Sequence, residues 1–317
     1  LDTWKSRDTF IISRCYPERR IYNQYFEMVA TLDEILQSHR THKPIVMGVL
    51  NITPDSFSDG GEFLKPDAAL EAAERMIHDG ADIIDIGAES TRPGSDRVSA
   101  DEQIRRLEKI LPEVCSLGVI VSIDTTRAEV AQFALDAGAK IINDVSAGRD
   151  DVEMFNLAAK RKVPIILMHM LGEPKTMQEN PHYDDVVGEV RQFLSERISA
   201  AIEAGIERSK VIIDPGIGFG KLLEHNLALL RNINSLVELD VPVLIGPSRK
   251  RFIAEISQKL LNYTPVAKDR LGGTIAAVLA GYRQGATIFR VHDVGAVVQA
   301  LVIERTIEKD SMQSDIV

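Results

Sequence analysis

Only two cysteines and one tryptophan occur among 317 residues, and aromatic residues make up 5% of the chain. Cys15 and Cys115 are too few for a disulfide framework or for a zinc site built on several thiolates. A reducing cytoplasm is therefore the expected location. Long apolar runs are missing too: the longest uncharged stretch, Leu271 to Tyr282, holds about a dozen residues, short of the ~18 to 20 needed to span a bilayer. No transmembrane helix is expected. The first twenty residues carry Lys5, Arg7, Arg14, Arg19 and Arg20 without a sustained apolar segment, so they do not read as a cleaved secretory signal. Positive charge is in deficit, with 37 Lys+Arg against 47 Asp+Glu and a net charge of -10. That balance argues against coating nucleic acid or an anionic membrane, so any anionic ligand must be caught locally.

What is present is a globular composition, 44% hydrophobic and 26% charged, arranged with clear regularity. Residues 1–43 stand apart as an N-terminal extension, holding Trp4, three of the six tyrosines and the run Glu18-Arg19-Arg20. From residue 44 to 317, short β-rich runs alternate with amphipathic helical patterns. The runs are Ile45 to Leu50, Asp82 to Ile86, Val119 to Ile123, Lys140 to Ile142, Pro164 to Met168, Val211 to Ile213, Val241 to Ile245 and Thr287 to Val291. Between them, Leu70, Ala73, Met76 and Ile77, then Ile104, Leu107, Ile110, Leu111 and Val114, follow helical spacing. Ser99 and Glu102 have capping-box spacing. Gly80-Ala81, Gly138-Ala139 and Gly285-Ala286 each separate a helix from a strand, as a left-handed glycine stop would. Eight such units predict an α/β fold of the (β/α)8 TIM barrel type rather than two domains. The competing fold, an open doubly wound sheet, lacks support because no G-x-G-x-x-G follows the first strand.

A parallel barrel brings all its strand C-termini to one mouth. The residues there are Asn51, then Asp85 with Glu89, Asp124, Asn143 with Asp144, His169, Asp214, Ser248 with Lys250, and Arg290 with His292. An Asp or Asn after a strand often merely caps the next helix. Eight polar ends together exceed what capping requires. Cys115 and His169 read as core and structural residues, and His182 and His225 as loop or helix-start residues.

Two long segments, Asn51-Ile52-Thr53-Pro54-Asp55-Ser56-Phe57-Ser58-Asp59-Gly60-Gly61 and Asp85-Ile86-Gly87-Ala88-Glu89-Ser90-Thr91-Arg92-Pro93-Gly94, resemble the signature loops of the dihydropteroate synthase family. Ser122-Ile123-Asp124-Thr125, Ile142-Asn143-Asp144-Val145-Ser146, Asp214 to Lys221, Ser248-Arg249-Lys250 and Arg290-Val291-His292-Asp293 follow in the family's order. The resemblance runs from about residue 44 to the end. It implies a transferase that condenses 6-hydroxymethyl-7,8-dihydropterin diphosphate with 4-aminobenzoate, giving 7,8-dihydropteroate and diphosphate for folate synthesis. Two other readings are a pterin-binding domain of a corrinoid-linked methyltransferase, in the same fold class, and a non-catalytic homologue that binds a partner or reduced pterin. Arg290 with His292 and the two intact loops speak against both.

By the same resemblance, Asp214 and Asn143 take the pyrimidine edge of the pterin, Asp124 its ring nitrogens, and Lys250 donates to the ring. Met168 and Phe219 are pocket walls. Thr91, Arg290 and His292 complete the pterin diphosphate site, with Mg²⁺ as cofactor and Asn51 as its ligand. Thr53, Pro54, Asp55, Phe57, Arg92, Pro93 and Ser248 form the aminobenzoate pocket, which sulfonamides should contest. Arg251 stands where the family often has Ser. The family also implies a homodimer, for which the stretch Leu271 to Tyr282 is either an interface or barrel-facing core. Arg92, Arg249, Lys250, Arg251, Arg290 and His292 are expected to form a local basic group for two anionic substrates.

Overall fold

The computed structural model describes residues 30–53, 66–90, 94–172 and 175–310. Its strands are β1 Ile45–Asn51, β2 Ile83–Gly87, β3 Ile120–Asp124, β4 Ile141–Asp144, β5 Ile165–Met168, β6 Val211–Asp214, β7 Leu244–Ile245 and β8 Ile288–Val291. They form one eight-stranded sheet in the order β6-β5-β4-β3-β2-β1-β8-β7, with neighbouring strands paired in parallel throughout. A parallel bridge between Ile213 and Val243 joins the two ends. The sheet thus closes into a (β/α)8 barrel with helices outside it. Gly80, Gly138 and Gly285 have φ of 97°, 118° and 96°, the left-handed stops expected before β2, β4 and β8.

Seven strands lie within a residue or so of their expected runs, and β7 is shorter. The run Val241 to Ile245 pairs with β8 only through Leu244 and Ile245. Pro242 has no N–H to give to a ladder, although its carbonyl accepts from Ile213 at 3.0 Å.

Strand alternation sorts the side chains. Ile45, Met47, Ile83, Ile141, Ile166, Ile212, Leu244 and Ile288 form an apolar layer inside the barrel. Val46, Ile84, Ile86, Val121, Ile123, Ile142, Leu167, Ile213 and Phe289 face the surrounding helices and form the larger core. Two residues along from an inner apolar position, the side chain returns to the interior one level higher. Ile83 is followed in this way by Asp85, Ile141 by Asn143, Ile166 by Met168, Ile212 by Asp214 and Ile288 by Arg290. A polar layer therefore lies directly on an apolar one.

Residues 30–43, the described part of the expected N-terminal extension, pack against the barrel. Ala30, Ile35 and Leu36 join the inner apolar layer from the N-terminal end of the barrel, so they close its bottom. Half-buried Asp82 accepts from Ala30 N at 3.2 Å and Val46 N at 2.8 Å, and Ser38 Oγ lies 2.9 Å from Thr287 Oγ1.

The stretch Leu271 to Tyr282 lies on helix Leu271–Arg283, whose Thr274, Ala277, Val278, Gly281 and Tyr282 are buried. It faces the core. Exposed apolar side chains gather elsewhere, at Leu260, Leu261, Tyr263 and Val266 and at Val302, Ile303 and Ile307. Among the described residues no helix is long and apolar enough to cross a membrane. Ile35→Ala should cost about 2 to 5 kcal/mol in denaturant unfolding, because Ile35 is fully buried in the plug. A loss below about 0.5 kcal/mol, within the range of surface substitutions, would show that the plug lies outside the cooperative unit.

Candidate active site

The polar layer is organised by one guanidinium. Arg290 donates from Nε to Asp85 Oδ2 at 2.6 Å and from Nη2 to Asp124 Oδ2 at 2.7 Å. Asn143 Nδ2 donates to the same Asp85 oxygen at 3.1 Å. Asp85, Asp124 and Asn143 are all buried. Burial pushes the Asp124 carboxyl up, although Arg290 beside it pulls the other way. Burial opposes charge on Arg290 as well, yet Asp85 and Asp124 raise its pKa above the ordinary value. Asp124 Oδ1 has no partner among the described residues, so an acceptor is left for a ligand.

Asp214 stands across the barrel at the end of β6. Its Oδ1 accepts from Gly216 N at 2.7 Å, and burial pushes the carboxyl up to about 6 despite that bond. The following loop lies hard against the end of β5. Gly216 has φ of 66°, and a Cβ there would fall 1.9 Å from the His169 carbonyl oxygen. Only glycine fits. The loop is then fastened from several sides: Gln178 Nε2 donates to Gly218 O at 2.8 Å, Tyr183 Oη to Gly220 O at 2.8 Å, and Asn226 Oδ1 accepts from Gly218 N at 2.6 Å. Buried Lys221 reaches Phe219 O and His169 Nδ1, both at 2.9 Å. Burial lowers Lys221 to about 7 and His169 to about 2. Held this way, Phe219 joins Val145, Met168, Met170 and Met177 in a separate apolar cluster beside the polar layer. Lys250 Nζ lies 3.9 Å from the Phe219 ring centroid.

The expected basic group is largely neutralised within the fold. Arg249 pairs with Asp293 through two bonds of 3.0 and 2.5 Å, and Arg251 pairs with Glu255 on its own helix at 2.6 Å. His292 is held well below its usual range, at about 3, by burial and then by Arg249 and Arg290. It is a neutral imidazole rather than the cation expected. Ser248 Oγ lies 3.0 Å from His292 Nδ1 and accepts from His292 N at 3.2 Å, which ties the end of β7 to the end of β8. Among the described residues, anion attraction at this mouth therefore falls to Arg290 and Lys250, set among the carboxylates.

On the first strands, Asn51 ends β1 half-buried, level in register with Gly87 and, through it, with Asp124. Thr53 is buried just beyond it. Glu89 accepts from Val98 N at 2.9 Å and Gln103 Nε2 at 3.0 Å, which pins the base of the second signature loop. Pro54, Asp55, Phe57, Thr91, Arg92 and Pro93 lie outside the described residues. Among the described residues no three His, Cys, Asp or Glu side chains converge as a metal site. The donors present, an amide oxygen on Asn51 and the open Asp124 oxygen, suit an ion that rests chiefly on phosphate and water.

The family model described as "Pterin binding enzyme" matches residues 47–292. A dihydropteroate synthase of Synechocystis sp. is 48% identical over 255 residues, which is 80% of this chain and 86% of that protein. Among solved structures, the Xanthomonas albilineans dihydropteroate synthase with 4-aminobenzoic acid superposes with a TM-score of 0.78 at 43% identity, covering 84% of this chain and 93% of that one. The same enzyme with 7,8-dihydropteroate gives 0.74 at 41%, covering 84% and 94%. A closed barrel with fixed donors and acceptors beside an apolar wall is thus a pterin-binding barrel enzyme. Within that class, the chain belongs to the dihydropteroate synthase family.

Two buried residues at the mouth, Asp85 and Lys221, stood in recognised segments of the sequence but were given no role there. Asp85 interrupts the apolar run Ile83-Ile84-Asp85-Ile86, and a carboxylate inside a buried strand is itself a signal. Lys221 carried no such mark, since a lysine after a glycine-rich turn is ordinarily exposed. Gly216→Ala should cost at least about 1 to 3 kcal/mol in unfolding free energy, from the strained φ and the carbonyl clash. Unchanged stability would contradict this packing of the β6 loop.

Proposed function

We propose that the protein is a dihydropteroate synthase acting on 6-hydroxymethyl-7,8-dihydropterin diphosphate and 4-aminobenzoate. The observation that carries this reading is the ring of Asp85, Asp124, Asn143, Asp214, Lys250 and Arg290 over the Met168 and Phe219 wall. The Xanthomonas enzyme's complexes with 4-aminobenzoic acid and with 7,8-dihydropteroate support it. Asp214 and Asn143 take the amino-pyrimidinone edge, the open oxygen of Asp124 takes a ring N–H, and Lys250 donates to the ring. Thr91, Arg290 and His292 hold the diphosphate, with His292 serving as a neutral donor.

In the reaction, the bond from the pterin methylene carbon to the diphosphate oxygen breaks, and its electron pair leaves with diphosphate. The aryl amine nitrogen then bonds that carbon and loses a proton. Asp124 and Asp214 lie where positive charge develops on the pterin ring, and Arg290 where negative charge gathers on the leaving group. Such groups stabilise the transition state because they are fixed beforehand. Asn51 would hold Mg²⁺, which when bound supplies charge neutralisation for the diphosphate oxygens. Thr53, Pro54, Asp55, Phe57, Arg92, Pro93 and Ser248 form the aminobenzoate pocket, where sulfonamides compete. The exposed apolar residues Leu260, Leu261, Tyr263, Val302, Ile303 and Ile307 suit a homodimer interface, and the protein acts in the cytoplasm.

The direct test is formation of dihydropteroate from pterin diphosphate and labelled aminobenzoate, with and without Mg²⁺; absence of product overturns the reading. Replacing Arg290 and His292 together should lower turnover by at least about 10²-fold, far more than it weakens binding of a pterin lacking diphosphate. Equal losses would contradict their placement on the diphosphate. Pterin affinity should also depend on pH. Asp214 accepts from the pyrimidine edge only when ionised, and its carboxyl titrates at about 6, so affinity falls as pH drops through that value. At pH 5 about one molecule in ten is ionised. Calorimetry showing constant affinity from pH 5 to 8 would remove Asp214 from the pyrimidine edge.

A further inference from the structure

Asp85 is a carboxylate of this mouth to which the proposed function gives no substrate contact. It is fully buried on β2, and one oxygen, Oδ2, accepts both from Arg290 Nε and from Asn143 Nδ2. The contact with Asn143 has chemical content. A primary amide has a donor end and an acceptor end, and turning its terminal bond exchanges them. The Asp85 oxygen faces two N–H groups and so serves only as an acceptor. The end of Asn143 turned toward it must therefore be the NH₂. Asn143 Oδ1 is then directed away from Asp85, and no donor among the described residues bonds it.

We propose that Asp85 is a specificity-determining positioning residue. By fixing the Asn143 amide with its oxygen toward the pocket, it makes the site select a ring edge that offers an N–H at that point. A 2-amino-4-oxo pyrimidine edge meets the demand through its amino group. The 2-oxo-4-amino isomer sets an oxygen against an oxygen and is rejected. Arg290 has a second part in this, because its Nε on the same Asp85 oxygen keeps that oxygen an acceptor. The inference rests on the reading that Asn143 lines the pterin slot.

Asp85→Leu tests it, since a side chain of similar size without an acceptor gives the Asn143 NH₂ nothing to bond and lets that amide reverse. Calorimetry with two diphosphate-free pteridines, the 2-amino-4-oxo ring and its 2-oxo-4-amino isomer, measures the preference without a phosphate on Arg290. The wild type is expected to prefer the first, and D85L to lose at least about tenfold of that preference, the scale of one unmade buried hydrogen bond. Damage passed to Arg290 or to general packing would lower both affinities alike and leave their ratio unchanged. An unchanged ratio in folded D85L overturns the proposal. Wild-type protein that binds neither ring overturns the pterin-slot reading instead, so the two failures are separable. If D85L does not fold, neutron diffraction from wild-type crystals decides: deuterium on the Asn143 atom facing Asp85 supports the proposal, and deuterium on the pocket-facing atom overturns it.

Discussion

The contact of Arg290 with Asp85 and Asp124 is the constraint on which the rest of the mouth depends. Three charged groups share the barrel interior, and each is tolerable only because of the others. Removing one partner of such a buried set typically costs about 3 to 5 kcal/mol, since the remaining charge has no water to turn to. Through Asp85 the guanidinium also orients Asn143, and through Asp124 it fixes an acceptor with one oxygen still open. The groups suited to the pterin edge and the group suited to the diphosphate thus form one network.

The opposite wall is held chiefly through backbone groups. There the β6 loop is rigid because glycine lets its backbone meet β5 directly, and because Gln178, Tyr183, Lys221 and Asn226 each occupy one of its backbone groups. Phe219 and Asp214, one apolar and one ionisable, are presented by the same short segment. A site assembled in advance loses little energy to reorganisation when substrate arrives. At the base of the second signature loop, Gln103 Nε2 donates to Glu89.

Much of this was legible in the sequence, for identifiable reasons. Seven strands were recoverable because buried parallel strands are continuous apolar runs, and β7 was overestimated because Pro242 adds to the run while removing a hydrogen-bond donor. The upper-layer residues were recoverable because each ends a strand. Charge was read less well. Arg249 and Arg251 looked like free cations at the mouth, yet Asp293 and Glu255 neutralise them, the first pairing across 44 positions of the chain. His292 looked cationic, and burial among cations makes it neutral.

By itself the sequence determined the alternation of strand and helix, the family resemblance and the identity of the residues that end each strand. These are local properties, set by periodicity and by which side chain follows which. Tertiary structure alone decided which charges survive, which end of the Asn143 amide is offered and that residues 30–43 close the barrel floor. Each of those outcomes depends on groups brought together from distant strands, where exclusion of water makes one hydrogen bond or one charge alter the state of the next.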